Sequence, residues 1–218
     1  MKNSTETLRI TEIFLSLQGE TSRTGLPTVF VRLTGCPLRC QYCDTAYAFS
    51  GGEVQSIASI VQQVLDYGVS HVTVTGGEPL AQVEVHTLMR SLCDKGLQVS
   101  LETSGALDVA GVDTRVARVI DLKTPGSGEV GRNLYANVRA LRAQDEVKFV
   151  ICDRADYEWT RLQCETHNLF ASAADVLFSP STNELDPRTL ADWIVADRLP
   201  VRFQLQLHKI LWNDEAGR

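Results

Sequence analysis

Seven short runs of apolar, largely β-branched residues recur along the chain, punctuated by Gly, Pro, Ser or Thr: Thr28 to Leu33, His71 to Val74, Leu97 to Leu101, Val116 to Leu122, Glu146 to Ile151, Val176 to Phe178 and Val201 to Leu207. Runs of this length and composition predict buried strands. Between them the apolar positions switch to helical spacing: Ile57, Ile60, Val61, Val64 and Leu65; then Val85, Leu88, Met89 and Leu92; then Leu134, Val138 and Leu141; then Leu190, Trp193 and Ile194. Asp186 followed by Pro187 forms an N-cap and first-turn pair for the last helix, and Gly68 and Gly96 stand where the first two should stop. Alternating strands and helices predict an α/β protein with a parallel sheet, either open and doubly wound or a partial TIM-like barrel. No repeat or linker divides residues 1–218, so a single domain is expected, with one Gly-rich loop at Thr124 to Arg132.

Composition narrows the function. The chain has 218 residues, 44% hydrophobic and 22% charged, the balance of a folded soluble domain. Lys and Arg number 21 against 27 Asp and Glu, a net charge of -6, which leaves no basic field to hold a phosphate backbone and excludes nucleic acid as the main partner. Met1 to Thr11 lacks the apolar segment of a secretory signal, and no run approaches the ~18 apolar residues that span a bilayer, so a cytoplasmic protein without membrane association is expected. Six cysteines are too few for a disulfide scaffold, and their spacing is better read for metal or redox chemistry.

Three of the six stand in Cys36-Pro-Leu-Arg-Cys40-Gln-Tyr-Cys43, a loop directly after the strand Thr28 to Leu33. Three thiolates so spaced can each hold one iron of a [4Fe-4S] cluster and leave the fourth iron open. The alternative is a structural zinc site, which calls for paired C-x₂₋₄-C elements of which only one is here. Cys93, on the apolar face of a helix, and Cys152, closing a strand, read as core packing, while Cys164 lies in a polar helical stretch without an evident role.

The C-x₃-C-x-aromatic-C pattern, with Tyr42 as the aromatic, resembles the signature of the radical S-adenosylmethionine enzymes. In that superfamily the open iron binds S-adenosylmethionine, and one electron from the reduced cluster cleaves it to a 5′-deoxyadenosyl radical that abstracts hydrogen from substrate. Thr75-Gly76-Gly77-Glu78-Pro79, one β/α unit later, is similar to the superfamily's motif for the amino group of that cofactor. Further along, Gln18-Gly19-Glu20, Arg32 on the strand before the first Cys, Asp44-Thr45, Glu102-Thr-Ser104-Gly105 and Gln206-Leu-His208-Lys209 together resemble the 7-carboxy-7-deazaguanine synthase family over nearly the whole chain.

That resemblance implies conversion of 6-carboxy-5,6,7,8-tetrahydropterin to 7-carboxy-7-deazaguanine with loss of ammonia, toward queuosine and other deazapurines. It implies catalytic use of S-adenosylmethionine, a need for Mg²⁺, electrons from a flavodoxin or ferredoxin, and a homodimer. Carried over residue by residue, it places Leu17, Gln18, Gly19, Glu20, Arg32, Thr75 and His208 at the substrate, with the Gln18 amide offering a donor and an acceptor edge. Arg32 in an apolar strand needs a carboxylate partner, by resemblance that of the substrate. Tyr42, Cys43, Asp44, Gly77, Ser104, Asp121, Leu122, Lys123 and Ser179 fall at S-adenosylmethionine, and Thr45 at Mg²⁺, where its own residues equally allow a simple helix cap. Two departures stand out: Asp121-Leu122-Lys123 replaces the Ser-Pro-Lys of many relatives, and the chain runs on past His208 through Trp212 to Arg218, beyond the point where a terminal carboxylate would meet substrate.

Other readings compete. Gly126-Ser-Gly128-Glu-Val-Gly131 matches G-x-G-x-x-G, but Lys123 to Pro125 separate it from its strand and the helical pattern starts only after the last Gly, so a mobile loop able to close over the site is expected rather than a dinucleotide fold. An iron–sulfur electron carrier would share the cysteines, and a glycyl-radical activating enzyme would share their spacing without the Gln-Gly-Glu, Arg32 and Gln-Leu-His-Lys set. His71, His86 and His167 belong to no motif and read as surface or internally satisfied residues.

Overall fold

The structure is a computed structural model and describes residues 6–213, 215 and 217. Among these residues nine strands form one sheet: β1 (Thr7–Leu17), β2 (Pro27–Leu33), β3 (Glu53–Ser56), β4 (His71–Gly76), β5 (Gln98–Thr103), β6 (Ala117–Asp121), β7 (Glu146–Ile151), β8 (Asp175–Pro180) and β9 (Arg202–Phe203). Their order is β3-β1-β2-β4-β5-β6-β7-β8-β9. From β2 through β9 every pair is parallel, while β1 runs antiparallel to both β2 and β3. The end strands β3 and β9 do not pair, so the sheet is a partial barrel.

Helices α1 (Ile57–Asp66), α2 (Val85–Asp94), α3 (Ala136–Arg139), α4 (Arg154–Thr166), α5 (Leu169–Ser172), α6 (Pro187–Asp197) and α7 (Leu207–Trp212) join or follow the strands. Their ends follow local chemistry. Ser56 accepts from Ser59 N–H to start α1, and Asp186 accepts from Arg188 N–H with Pro187 in the first turn of α6. Gly68 and Gly96 take positive φ of 69° and 81° just after α1 and α2, as a helix stop requires. No helix among the described residues is long and apolar enough to cross a membrane.

The central strands alternate in a way that explains the site. Val29, Val31 and Leu33 of β2, Val72 and Val74 of β4, Val99 and Leu101 of β5, Ile120 of β6, and Val147, Phe149 and Ile151 of β7 are buried in one hydrophobic core. The residues between them carry the polar groups: Arg32, Thr73, Thr75, Ser100, Glu102, Asp121 and Lys148. Successive side chains of a strand point to opposite faces, so one face meets the helices and the other lines the barrel interior.

Several elements depart from the sequence reading. β1 is an 11-residue strand absent from it, β3 likewise, α4 enters it only as a polar helical stretch around Cys164, and the predicted strand Val201 to Leu207 reduces to Arg202–Phe203 before α7. The helical pattern Leu134 to Leu141 yields only the single turn of α3. Cys164 is fully buried in the core, whereas Cys152 is only partly buried.

Candidate active site

At the carboxyl ends of the parallel strands, the usual place for chemistry in such barrels, lies a cleft of about 460 Å³. The cysteine loop forms one wall. It leaves β2 through Gly35, whose φ of +99° a side chain would strain and whose N–H donates to Ala48 O at 2.7 Å. Gly77 at the end of β4 packs against it so closely that a Cβ there would sit 2.3 Å from Gly35 O and 2.8 Å from the Cys36 Cβ. The Arg39 guanidinium donates to the carbonyls of Cys36 and Leu38 at 2.7 and 2.6 Å and lies over the Phe49 ring.

The Gly-rich segment after β6 is not an open lid. It is folded into two short 3₁₀ turns and braces the cysteine loop: Ser127 O accepts from Gln41 N–H at 3.1 Å and Glu129 from Arg39 N–H. Asp156 of α4 accepts from Gly126 N–H at 2.8 Å and Cys152 N–H at 3.0 Å, which fixes the segment from behind.

Cys36, Cys40 and Cys43 are unpaired, and all three line the cleft. Burial raises each thiol, Cys40 to about 11. Such thiols ionise when a metal replaces their protons. Among the described residues no group of three or more His, Cys, Asp or Glu converges as on a single ion. Three cysteines within electrostatic reach of one another along a wall suit a cluster in which each takes its own iron.

Beside them four buried polar atoms have no partner: Tyr42 Oη, Asp121 Oδ1, Ser179 Oγ and Ser181 Oγ. Buried polar groups are nearly always satisfied, so this cluster fits a polar ligand with several hydroxyl and amine groups, as S-adenosylmethionine has. Lys123 pairs with Asp121 at 2.8 Å, and its Nζ lies 5.9 Å from the Tyr42 ring centre. Burial opposes the charge of Lys123, but Asp121 and the cysteines together raise it above an ordinary lysine. Gly77 and Ser104 also face the cleft, while Leu122 belongs to the core instead and Ser179 is buried behind the lining. Glu78 is turned away: its carboxylate accepts from the Thr103 hydroxyl and from the N–H and hydroxyl of Ser104, and so pins β5 to β4.

The opposite end is charged. Leu17 ends β1 beside the first residue of β2, and Gln18, Gly19 and Glu20 follow it to line the cleft. The Gln18 amide is not a free edge: it donates to Thr73 and Glu102 at 3.1 Å each and accepts from Gly19 and Glu20 N–H. Glu20 is ion-paired with Lys148 of β7, and His208 Nδ1 lies 3.8 Å from it. Burial works against ionising Glu20, yet the charge and hydrogen bond of Lys148, together with His208, outweigh it and the carboxyl is lowered. Burial raises Glu102, and the nearby charge of Glu20 adds to that. Arg32 finds its carboxylate within the protein, donating to Glu12 at 2.7 Å, with Tyr47 Oη on the same oxygen. Its guanidinium still lines the cleft beside the stacked rings of Phe14 and Phe30, 5.2 Å apart.

Helix α7 closes this end. Gln206 donates to Asp44 at 3.0 Å and to Glu20 at 3.3 Å, and Lys209 pairs with Asp44 at 3.0 Å. Burial disfavours the Asp44 carboxylate, but Lys209 and the Thr45 hydroxyl hold it well below the usual range. Thr45 precedes a 3₁₀ turn without capping it, and its hydroxyl donates to Asp44 at 2.7 Å. Glu215 and Gly217 line the cleft, so the tail returns toward it, while a terminal carboxylate on Arg218 lies outside the described residues.

Comparison with known proteins decides the family. Residues 30–124 match the Radical SAM superfamily. The 7-carboxy-7-deazaguanine synthase of Chlorobaculum tepidum is 46% identical over 212 residues, covering 96% of each chain. The chain belongs to the 7-carboxy-7-deazaguanine synthase family. The namesake enzymes of Koribacter versatilis and Thermoplasma acidophilum are 43% and 35% identical over 95% of this chain, covering 98% and 99% of their own. A crystal structure of QueE from Escherichia coli shares the fold with a TM-score of 0.74 at 24% identity, covering 92% of this chain and 94% of that one.

Of the cleft residues of this 7-carboxy-7-deazaguanine synthase family member, Phe14, Phe30, Lys148 and Ser181 escape the sequence reading, and Glu102 enters it only within Glu102 to Gly105, without a role. Lys148 is a cation at an alternate position of an apolar strand, the same signal that singles out Arg32. Glu102 falls just past a predicted strand, where its direction is invisible without the register that sets it beside Thr75. None of His71, His86 and His167 lines the cleft.

Proposed function

We propose that this chain converts 6-carboxy-5,6,7,8-tetrahydropterin to 7-carboxy-7-deazaguanine with loss of ammonia, as a single domain holding a [4Fe-4S] cluster, S-adenosylmethionine and Mg²⁺. The observation that carries the reading is one cleft that joins three thiols, a set of unpartnered buried polar atoms and a floor of paired charges. Bound there, the cluster and S-adenosylmethionine supply the 5′-deoxyadenosyl radical that takes a hydrogen from substrate.

Cys36, Cys40 and Cys43 would hold the cluster. Tyr42, Cys43, Asp44, Gly77, Ser104, Asp121 and Lys123 would contact S-adenosylmethionine, with Leu122 acting only through its backbone because its side chain is in the core. Ser179, with its unpartnered hydroxyl, sits behind that group. For the pterin, Phe14 and Phe30 offer a flat apolar wall, Arg32 a guanidinium for its carboxylate, and Glu20, Thr75 and His208 polar contacts. Gln18 would serve by fixing the turn and Glu102, and Leu17 and Gly19 by their backbone. Thr45, hydrogen-bonded to Asp44, would give Mg²⁺ one hard oxygen, the rest coming from water and substrate carboxylate. A flavodoxin or ferredoxin would deliver the electron, in the cytoplasm, to a homodimer.

Anaerobic reconstitution with iron and sulfide, followed by mass spectrometry with S-adenosylmethionine, reductant, Mg²⁺ and the pterin, tests the reading. Formation of 7-carboxy-7-deazaguanine is expected. 5′-Deoxyadenosine without that product would keep the radical chemistry and overturn the substrate, and neither product from a well-loaded cluster would favour an electron carrier.

A further inference from the structure

Loss of ammonia requires more than a radical. The departing nitrogen carries off the electron pair of its C–N bond and must take up a proton, so an acid is needed beside the substrate. Most charged groups of the cleft are poor candidates. Lys148 is paired with Glu20, Lys123 with Asp121, and Lys209 with Asp44.

Glu102 differs. Its Oε1 accepts from Gln18 Nε2 at 3.1 Å and its Oε2 from Thr75 Oγ1 at 3.2 Å, and it faces the cleft from β5 with no cation hydrogen-bonded to it. The Gln18 nitrogen can only donate, so a proton on Glu102 must lie on the Thr75 side or point into the cleft. The groups that face it are Glu20 from the turn after β1, Lys148 from β7 and Arg32 from β2, with Thr75 from β4; from β6 its registered neighbour is the apolar Val119, with Asp121 two residues on. We propose, building on the function inferred above, that Glu102 is the general acid that protonates the nitrogen leaving as ammonia.

In this step the C–N bond breaks with its pair going to nitrogen, the O–H bond of Glu102 breaks and an N–H bond forms. The ring then loses one proton as it becomes aromatic, which returns Glu102 to its acid form, so one proton is delivered and one released. Two carboxyls whose surroundings push them apart serve this division of labour: burial and the charge of Glu20 raise Glu102, whereas Lys148 keeps Glu20 ionised despite its burial.

The test is Glu102→Gln, which keeps the size and the hydrogen bond to Thr75, with Glu102→Asp as a second variant in case the first does not fold. In reconstituted, cluster-loaded enzyme the exchange of deuterium from labelled pterin into S-adenosylmethionine, the mark of a radical formed and returned, should persist. The rate of 7-carboxy-7-deazaguanine formation should fall about 10²- to 10⁴-fold, the usual worth of a general acid. A rearranged isomer of the pterin, equal to it in mass because the product is the substrate less one ammonia, should accumulate and separate from it by chromatography. The wild-type rate should decline as pH rises through the elevated range of Glu102, and that limb should vanish in Glu102→Gln. Product formation and a pH profile like those of wild type would overturn the proposal, as would loss of that deuterium exchange from folded, loaded variant, or the same nitrogen-retaining species arising from His208→Gln alone. A wild-type enzyme that makes 5′-deoxyadenosine but releases no ammonia from the pterin would overturn the underlying function and the proposal with it.

Discussion

At the scale of single residues, the cleft is built from side chains whose charge is set by their partners. Lys148 and Glu20 are 13% and 18% exposed, so removing one leaves the other poorly solvated. Lys148→Met is expected to cost on the order of 2 kcal/mol at neutral pH, measured by chemical denaturation, and Glu20→Gln in the same chain should recover most of it. Glu20 is lowered in the folded protein, so the stability it contributes is present above the ordinary carboxylate range and lost as pH falls through its lowered value. The penalty of Lys148→Met should therefore fade in acid. Among the cysteines, Cys40→Ala should abolish iron–sulfur absorbance and S-adenosylmethionine cleavage, whereas Cys93→Ala, on the core face of α2, should keep both and cost about 1 kcal/mol. Full cleavage by Cys40→Ala would refute the cluster assignment. Cysteine spacing makes the cluster wall legible in the sequence, because three ligands of one loop need only local order. The floor is legible only in part, because Glu102, Lys148 and Gln18 come together from 84 or more residues apart or through strand register.

At the scale of elements, close backbone approach explains why glycines end β4. A side chain at Gly77 would strike Gly35 and displace the cysteine loop. Gly77→Ala should cost about 1–3 kcal/mol in an unfolding titration and reduce the iron retained per chain, while unchanged values would show that the two segments do not touch. The parallel strands and α1, α2 and α6 announce themselves through apolar period and capping residues. β1 does not, because Thr-Leu-Arg-Ile-Thr-Glu alternates and a register irregularity between Ile10 and Glu12 then breaks the alternation. α4 is rich in charge and its apolar face is narrow, so its pattern is weak, although Asp153 caps it by accepting from Asp156 N–H. The Gly-rich segment at 124–132 resembles a flexible loop in composition, yet hydrogen bonds to Asp156, Gln41 and Arg39 make it a brace.

At the scale of the whole molecule, a sheet that does not close must be sealed by something else. The turn between β1 and β2 does this, reaching beneath the interior to the first residue of β7. There the buried Glu146 accepts from the N–H and hydroxyl of Ser22 and from Arg23, and Gln204 donates to Gly19 O and Thr24. Glu146→Ala should cost about 1–3 kcal/mol in thermal or chemical unfolding, from the donors it strands. It should also weaken pterin binding more than S-adenosylmethionine cleavage, because the turn carries the substrate floor and not the cluster. No local pattern foretells this seal, since its partners are 124 residues apart. In the proposed function, one cleft couples radical formation to loss of nitrogen. The most direct test is the stoichiometry of an anaerobic reaction of reconstituted enzyme with the pterin, S-adenosylmethionine, Mg²⁺ and reductant. Ammonia and 7-carboxy-7-deazaguanine should appear in equal amounts while S-adenosylmethionine is spared, and 5′-deoxyadenosine accumulating in step with S-adenosylmethionine loss, without ammonia, would contradict it.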